Sequence, residues 1–190
     1  RQLLWLPVFH FPTGTAMYQM LTNSTRILAQ AMALFGGALL LLVVGVTFIS
    51  IAGRALVPLD IGLGPIRGIY DITEIGIAAA VFAFLPWCQL ERGHAAVDLF
   101  KPAFPKLMNR LLDVVLDGGM LAVAALIAWR LYLGMMDKLT YGETTLIAQI
   151  PVWQGYALSL MGAVGFVLVA AFCVLRSLRA LAYPQTVGDA

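Results

Sequence analysis

The sequence predicts an all-α integral membrane protein. It should have four transmembrane helices, an amphipathic interfacial segment between helices 2 and 3, and both termini in the cytoplasm. Three observations lead there. First, the 190 residues are 61% hydrophobic and only 12% charged, against about 45–50% apolar and about 25% charged in ordinary soluble domains. With mean hydropathy at +0.89, there is too little charge to wet a globular surface, and a bilayer is the natural solvent. Second, apolar runs recur four times, each near the ~20 residues a helix needs to cross the hydrocarbon core. Third, lysines and arginines gather on one side of those runs. Net charge is only +2 with no basic stripe, which excludes a nucleic-acid partner and leaves membrane lipids as the expected surroundings.

Taken in order, residues 1–25 read as an N-terminal tail. Pro7, His10 and Pro12 interrupt its apolar run, so it resembles a signal peptide only weakly. Met17 and Met20 are both candidate starts, and the tail is expected either to lie on the membrane surface or to be foreign to the native chain. Span one, 27–53, carries no charge and is bracketed by Arg26 and Arg54. Span two, about 72–90, contains Pro86, a candidate kink. Span three, about 111–136, is apolar but holds Asp113, Asp117 and Arg130. Span four, about 152–175, follows Pro151, which suits a first helical turn, and its Trp153 and Tyr156 suit the interfacial aromatic belt. Residues 26–179 thus form one membrane domain, and 180–190 a C-terminal cytoplasmic tail. No internal repeat or separate soluble domain is visible.

Orientation follows from the positive-inside rule. The side with both termini and the 91–110 loop holds eight basic residues: Arg1, Arg26, Arg92, Lys101, Lys106, Arg110, Arg176 and Arg179. The other side holds three, Arg54, Arg67 and Lys138. Cys88 and Cys173 lie in apolar runs near cytoplasmic helix ends and read as small core residues, neither a disulfide nor a metal framework.

The segment "CQLERGHAAVDLF", Cys88–Phe100, follows the uncharged run Ile75–Leu90 with a burst of charge. From Ala95 onward Val97, Phe100, Phe104, Leu107 and Leu111 recur at helical spacing, with His94, Asp98, Lys101 and Lys106 mostly opposite. Such an amphipathic piece suits the headgroup layer. Pro102 and Pro105 divide it, Gly93 allows a sharp exit from span two, and His94 and Asp98 share a face at i and i+4. One His and one Asp are too few for a metal site, and no nucleophile accompanies them for acid–base work. An ordinary charged loop and a docking element at the cytoplasmic surface both remain open.

Four spans, "DITEIGIAAA" opening span two, "ERGHAAVDLF" after it and "GETTLIAQIPVWQGYALSLMGA" leading into span four together resemble one family. It is the small membrane subunit of tripartite ATP-independent periplasmic (TRAP) transporters, the DctQ-like small permease. The resemblance covers roughly Arg26–Arg179 and is most specific at Gly93, His94, Val97 and Asp98; Ala95 stands where the family often has a larger aliphatic residue. The resemblance implies a protein of the bacterial inner membrane, not an enzyme, without cofactor, metal or catalytic residues. Its implied partners are a large, DctM-like permease that carries the substrate and ion sites and a periplasmic substrate-binding protein. Together such proteins import organic acids, usually carboxylates, by symport with sodium, and the small subunit braces the large one.

The remaining charges and small residues admit structural readings. Arg130 either snorkels to the outer interface or pairs with Glu74 on the antiparallel span two, where Arg54 competes for the same carboxylate. Asp113 and Asp117, with Arg110 a turn before, read as an interfacial ion pair. The uncharged stretch from Gly118 to Trp129 gives a proton or sodium relay nothing to continue through. Rows of small residues mark close helix packing: Ala29, Ala33 and Gly37; Gly76, Ala80 and Ala83; Gly118 and Ala122; Ser159 and Ala163. Arg92, Gly93, His94, Asp98, Glu74, Arg54 and Arg130 are therefore the candidate structural and partner-binding residues. Two rival functions have weaker support. A membrane anchor of a respiratory complex would need haem ligands, but His10 lies in the tail and His94 in a loop. A small self-contained exporter would need a mid-membrane glutamate, and Glu74 lies near the outer interface.

Overall fold

In hydrocarbon every backbone N–H and C=O must be satisfied within its own segment, so apolar runs of this length fold as helices. The computed structural model describes residues 16–57, 66–91 and 106–182. They form α1 (Ala16–Leu56), α2 (Ile69–Leu90), α3 (Lys106–Tyr141) and α4 (Val152–Ala182). All four are long and apolar enough to cross a membrane. The helices run past the expected spans: α1 begins inside the stretch read as a tail, and α3 takes up Lys106–Arg110. Pro151 stands one residue before α4, paired in an isolated bridge with Thr144. The rest of the amphipathic segment, 92–105, lies outside the described residues. The 41 residues of α1 extend about 60 Å at 1.5 Å each, so the helix overshoots a core about 30 Å thick.

Successive helices run in opposite directions, which gives the bundle two ends. At one, α1 starts and α4 finishes; this is the termini end. At the other, α1 ends, α2 begins, and the α3–α4 connection turns the chain back; this is the far end. Side to side the order is α1, α2, α4, α3. Helix α4 packs on α2 and on α3, α2 packs on α1, and α4 meets α1 more lightly. The consecutive helices α2 and α3 are thus separated over most of their length by α4, the most buried of the four, and meet side chain to side chain only toward the termini end.

Small residues set this order. A Cβ at Gly162 of α4 would lie 2.7 Å from the carbonyl carbon of Phe82 and 2.8 Å from its oxygen, so the two backbones touch there. Pro86, buried inside α2, has no N–H to give that same Phe82 carbonyl. Gly155 sits against Ile75, Gly36 against Ala80 and Ala83, and Gly76 against Val43. Close approach of this kind supplies the packing that apolar side chains alone do not provide in lipid. The rows expected in spans one and three depart from this. A Cβ on Gly37 or on Gly118 would meet nothing within 4 Å, and Ala122 is exposed. Gly36 packs in place of Gly37, and Ala124 is buried with Phe166 and Ala170.

Candidate functional site

Three of the candidate residues fall on described helices. Arg54 is exposed in the last turn of α1, Glu74 is exposed on α2, and Arg130 is exposed on α3. The expected Glu74–Arg130 pair is not formed, and Arg54 does not take its place; Lys138 pairs with Glu143 at 2.5 Å instead. The reason is lateral order: α4 stands between the helices that carry Glu74 and Arg130. Arg92, Gly93, His94 and Asp98 lie outside the described residues.

In the termini half, one carboxylate joins three helices. Asp117 of α3 is 6% exposed. Its Oδ2 accepts a short hydrogen bond from the Ser177 hydroxyl of α4, and its Oδ1 accepts from Gln89 Nε2 of α2 at 3.5 Å. The Gln89 carbonyl in turn faces the Cys173 thiol at 3.8 Å. Gln89 and Ser177 are themselves buried. A carboxylate out of water must be met by donors, and α2 and α4 supply them. Apolar packing continues beside this knot, where Ala29, Val169 and Cys173 cluster with Trp87 and Leu90. Tyr18 stacks on Phe172 with ring centroids 6.2 Å apart, and the Arg179 guanidinium lies 4.4 Å over the Tyr18 ring, a cation–π contact. Sequence reasoning placed Asp117 at an interface and missed Gln89 and Ser177. The signal was present in α4, where Phe166, Val169, Cys173 and Ser177 recur at three and four on one buried face.

The far half is built differently. Asp71, in the first turn of α2, accepts from the backbone N–H of Ile147 at 3.2 Å and of Ala148 at 2.8 Å. These bonds hold the α3–α4 connection against the start of α2. That connection is itself folded: Thr145 N–H donates to the Ile150 carbonyl at 2.9 Å, Val152 N–H to the Glu143 carbonyl at 3.0 Å, and Ile150 N–H to the Thr145 hydroxyl at 3.1 Å. Gly68, just before α2, has φ 75° and stands where a Cβ would come 2.5 Å from the Ala148 side chain. Both its backbone conformation and the space demand glycine. Leu146 at the tip of the connection is 92% exposed. Below it a cavity of about 330 Å³ opens between α2 and α3, floored by α4 and lined by Glu74, Phe82, Leu131, Tyr156 and Ser159, with Asp71 at its rim.

A family model described as the DctQ component of tripartite ATP-independent periplasmic transporters matches residues 43–182. The chain belongs to the DctQ family. Neither the curated proteins nor the solved structures give a match. A DctQ chain is the small membrane subunit of a TRAP transporter, a transport component and not an enzyme. The matched range takes in the Asp117 knot, the Gly162 seam and the far-half cavity, so all three belong to the DctQ portion of this multi-pass membrane protein.

Proposed function

We propose that this DctQ subunit braces a large, DctM-like permease in the bacterial inner membrane. The complex imports organic acids, carboxylates first among them, with sodium, and takes them from a periplasmic binding protein. The carrying observation is the family match over 43–182, on a bundle whose α2, α3 and α4 are tied through Asp117. A tied bundle suits a brace. The decisive experiment is uptake of a radiolabelled organic acid into liposomes. With the large permease, the binding protein and a sodium gradient, uptake is expected to depend on this chain. Uptake by liposomes holding this chain alone would refute the reading.

Both termini are proposed to be cytoplasmic, on the distribution of lysine and arginine. The termini end then faces inward, and Arg92, Gly93, His94 and Asp98 form a brace at the inner headgroups that sets the angle between α2 and α3. Labelling of a single cysteine at position 138 from the cytoplasmic side only would reverse the topology. Unchanged assembly and uptake in both Asp98→Asn and His94→Ala would leave that segment an ordinary charged loop.

A further inference from the structure

Two polar groups face the far-half cavity without a partner among the described residues. Glu74 is exposed on α2, and no ion pair or hydrogen bond engages its carboxylate among the described residues. Ser159 of α4 is 4% exposed, lies in the cavity floor, and its hydroxyl makes no hydrogen bond to a described residue. The remaining walls are largely apolar: Ile75, Ala78 and Phe82 from α2 and Leu131 from α3. The groove exists because α4 holds α2 and α3 apart. Glu74 is the sixth residue of α2, about 8 Å from the start of the helix at 1.5 Å per residue, near the far-end interface. A carboxylate facing largely apolar walls there is best met by a basic group.

We infer that this groove takes side chains from a membrane-spanning helix of the large permease that packs over it, and that a lysine or arginine on that helix meets Glu74. The inference rests on the proposed bracing role and adds the face and the chemistry to it. Charge complementarity selects a basic side chain, and the apolar walls select the flanks of a helix. A lipid fits less well. An amine headgroup could reach Glu74, but the acyl chains beneath it offer nothing to the Ser159 hydroxyl that lines the cavity. A helix can bring a cation to one and a hydrogen-bonding group to the other.

The test is recovery of the tagged large permease with this chain from solubilised membranes, using the full chain and its cognate permease. Glu74→Arg reverses the charge, and Ala78→Trp fills the groove from an exposed position. Each is expected to lower recovery about tenfold or more, the effect of losing a buried charge pair or its seat. Ser159→Ala is expected to lower it by a few fold. Thermal melting of each variant alone in detergent should match the wild type, which separates lost docking from lost folding. A photo-crosslinking amino acid at Leu131 should capture the permease. Full recovery with Ala78→Trp, or crosslinks from Leu131 only to lipid or to a second copy of this chain, would overturn the inference. Failure of the wild-type chain to recover any permease would instead overturn the bracing role itself.

Discussion

The two halves of the bundle solve the same problem in opposite ways. In the termini half, the buried carboxylate of Asp117 is satisfied internally: it accepts from Ser177 and Gln89 across three helices, and Phe166, Val169 and Cys173 are buried along the same face of α4. In the far half, Glu74 and Ser159 are left facing a cavity, and polar order is found at the end of the bundle, where Asp71 holds a folded connection in place. One half is closed on itself and the other is completed by something else. Helix α4 runs through both, which is why one helix can carry a sealed seam and an open floor.

The comparison can be broken most sharply at the seam. Gly162→Leu would drive a side chain into the Phe82 backbone, at 2.7 Å from its carbonyl carbon, and neither backbone can yield without separating α2 from α4. A loss of about 3 kcal/mol or more is expected, seen as failure to recover folded monomer or a large fall in melting temperature in detergent. Gly118→Ala, where a Cβ meets nothing within 4 Å, should cost nothing and can raise stability by up to about 1 kcal/mol, the helix preference of Ala over Gly. Similar losses in both would mean that the seam does not hold the bundle together.

Next in size is the closed half's own knot. Asp117→Ala leaves the Ser177 hydroxyl and Gln89 amide without their shared acceptor, at an expected cost of about 1–2 kcal/mol, near the upper range for hydrogen bonds between membrane helices. Equilibrium unfolding in mixed micelles measures it. A smaller effect is expected at the far end. Asp71→Ala removes the acceptor for Ile147 and Ala148, so exchange of those two amides should quicken about tenfold while the exchange of α4 core amides stays put. Spread of that quickening into α4 would show that the connection and the bundle unfold together. Smallest of all is Glu74→Gln in the isolated chain. An exposed, unpaired carboxylate contributes within about 0.5 kcal/mol, so an unchanged melt sharpens the contrast with Asp117, whereas a marked destabilisation would mean that Glu74 has an internal role.

What the sequence disclosed and what it withheld divide along a physical line. Crossing a membrane is a one-dimensional requirement, a length of apolar chain, so the four helices could be read from Arg26 and Arg54 around span one or from the uncharged run Ile75–Leu90. Lateral order is two-dimensional. Sequence adjacency suggested that Glu74 could meet Arg130, but the glycines of α4 bring it between them. Rotation about a helix axis is likewise hidden in an apolar run. Depth along α3 was judged well enough to place Asp117 near an end, but not which way it faced, and the same uncertainty favoured Gly118 and Ala122 over Ala124. The folded 142–151 connection went unread because Asp71, whose carboxylate holds it, is distant in sequence.

The central position of α4 also has a consequence for how the protein is made. Synthesis proceeds from the N-terminus, and domains form as their parts emerge. Helices α1 and α2 can pair as soon as both are inserted, but α3 joins the bundle chiefly through α4, which leaves the ribosome after it. Until then α3 waits in the bilayer with Asp117 lacking its Ser177 donor. A nascent chain arrested before Val152 should therefore hold a formed α1–α2 hairpin and a stranded third helix, the kind of intermediate that membrane chaperones and proteases recognise.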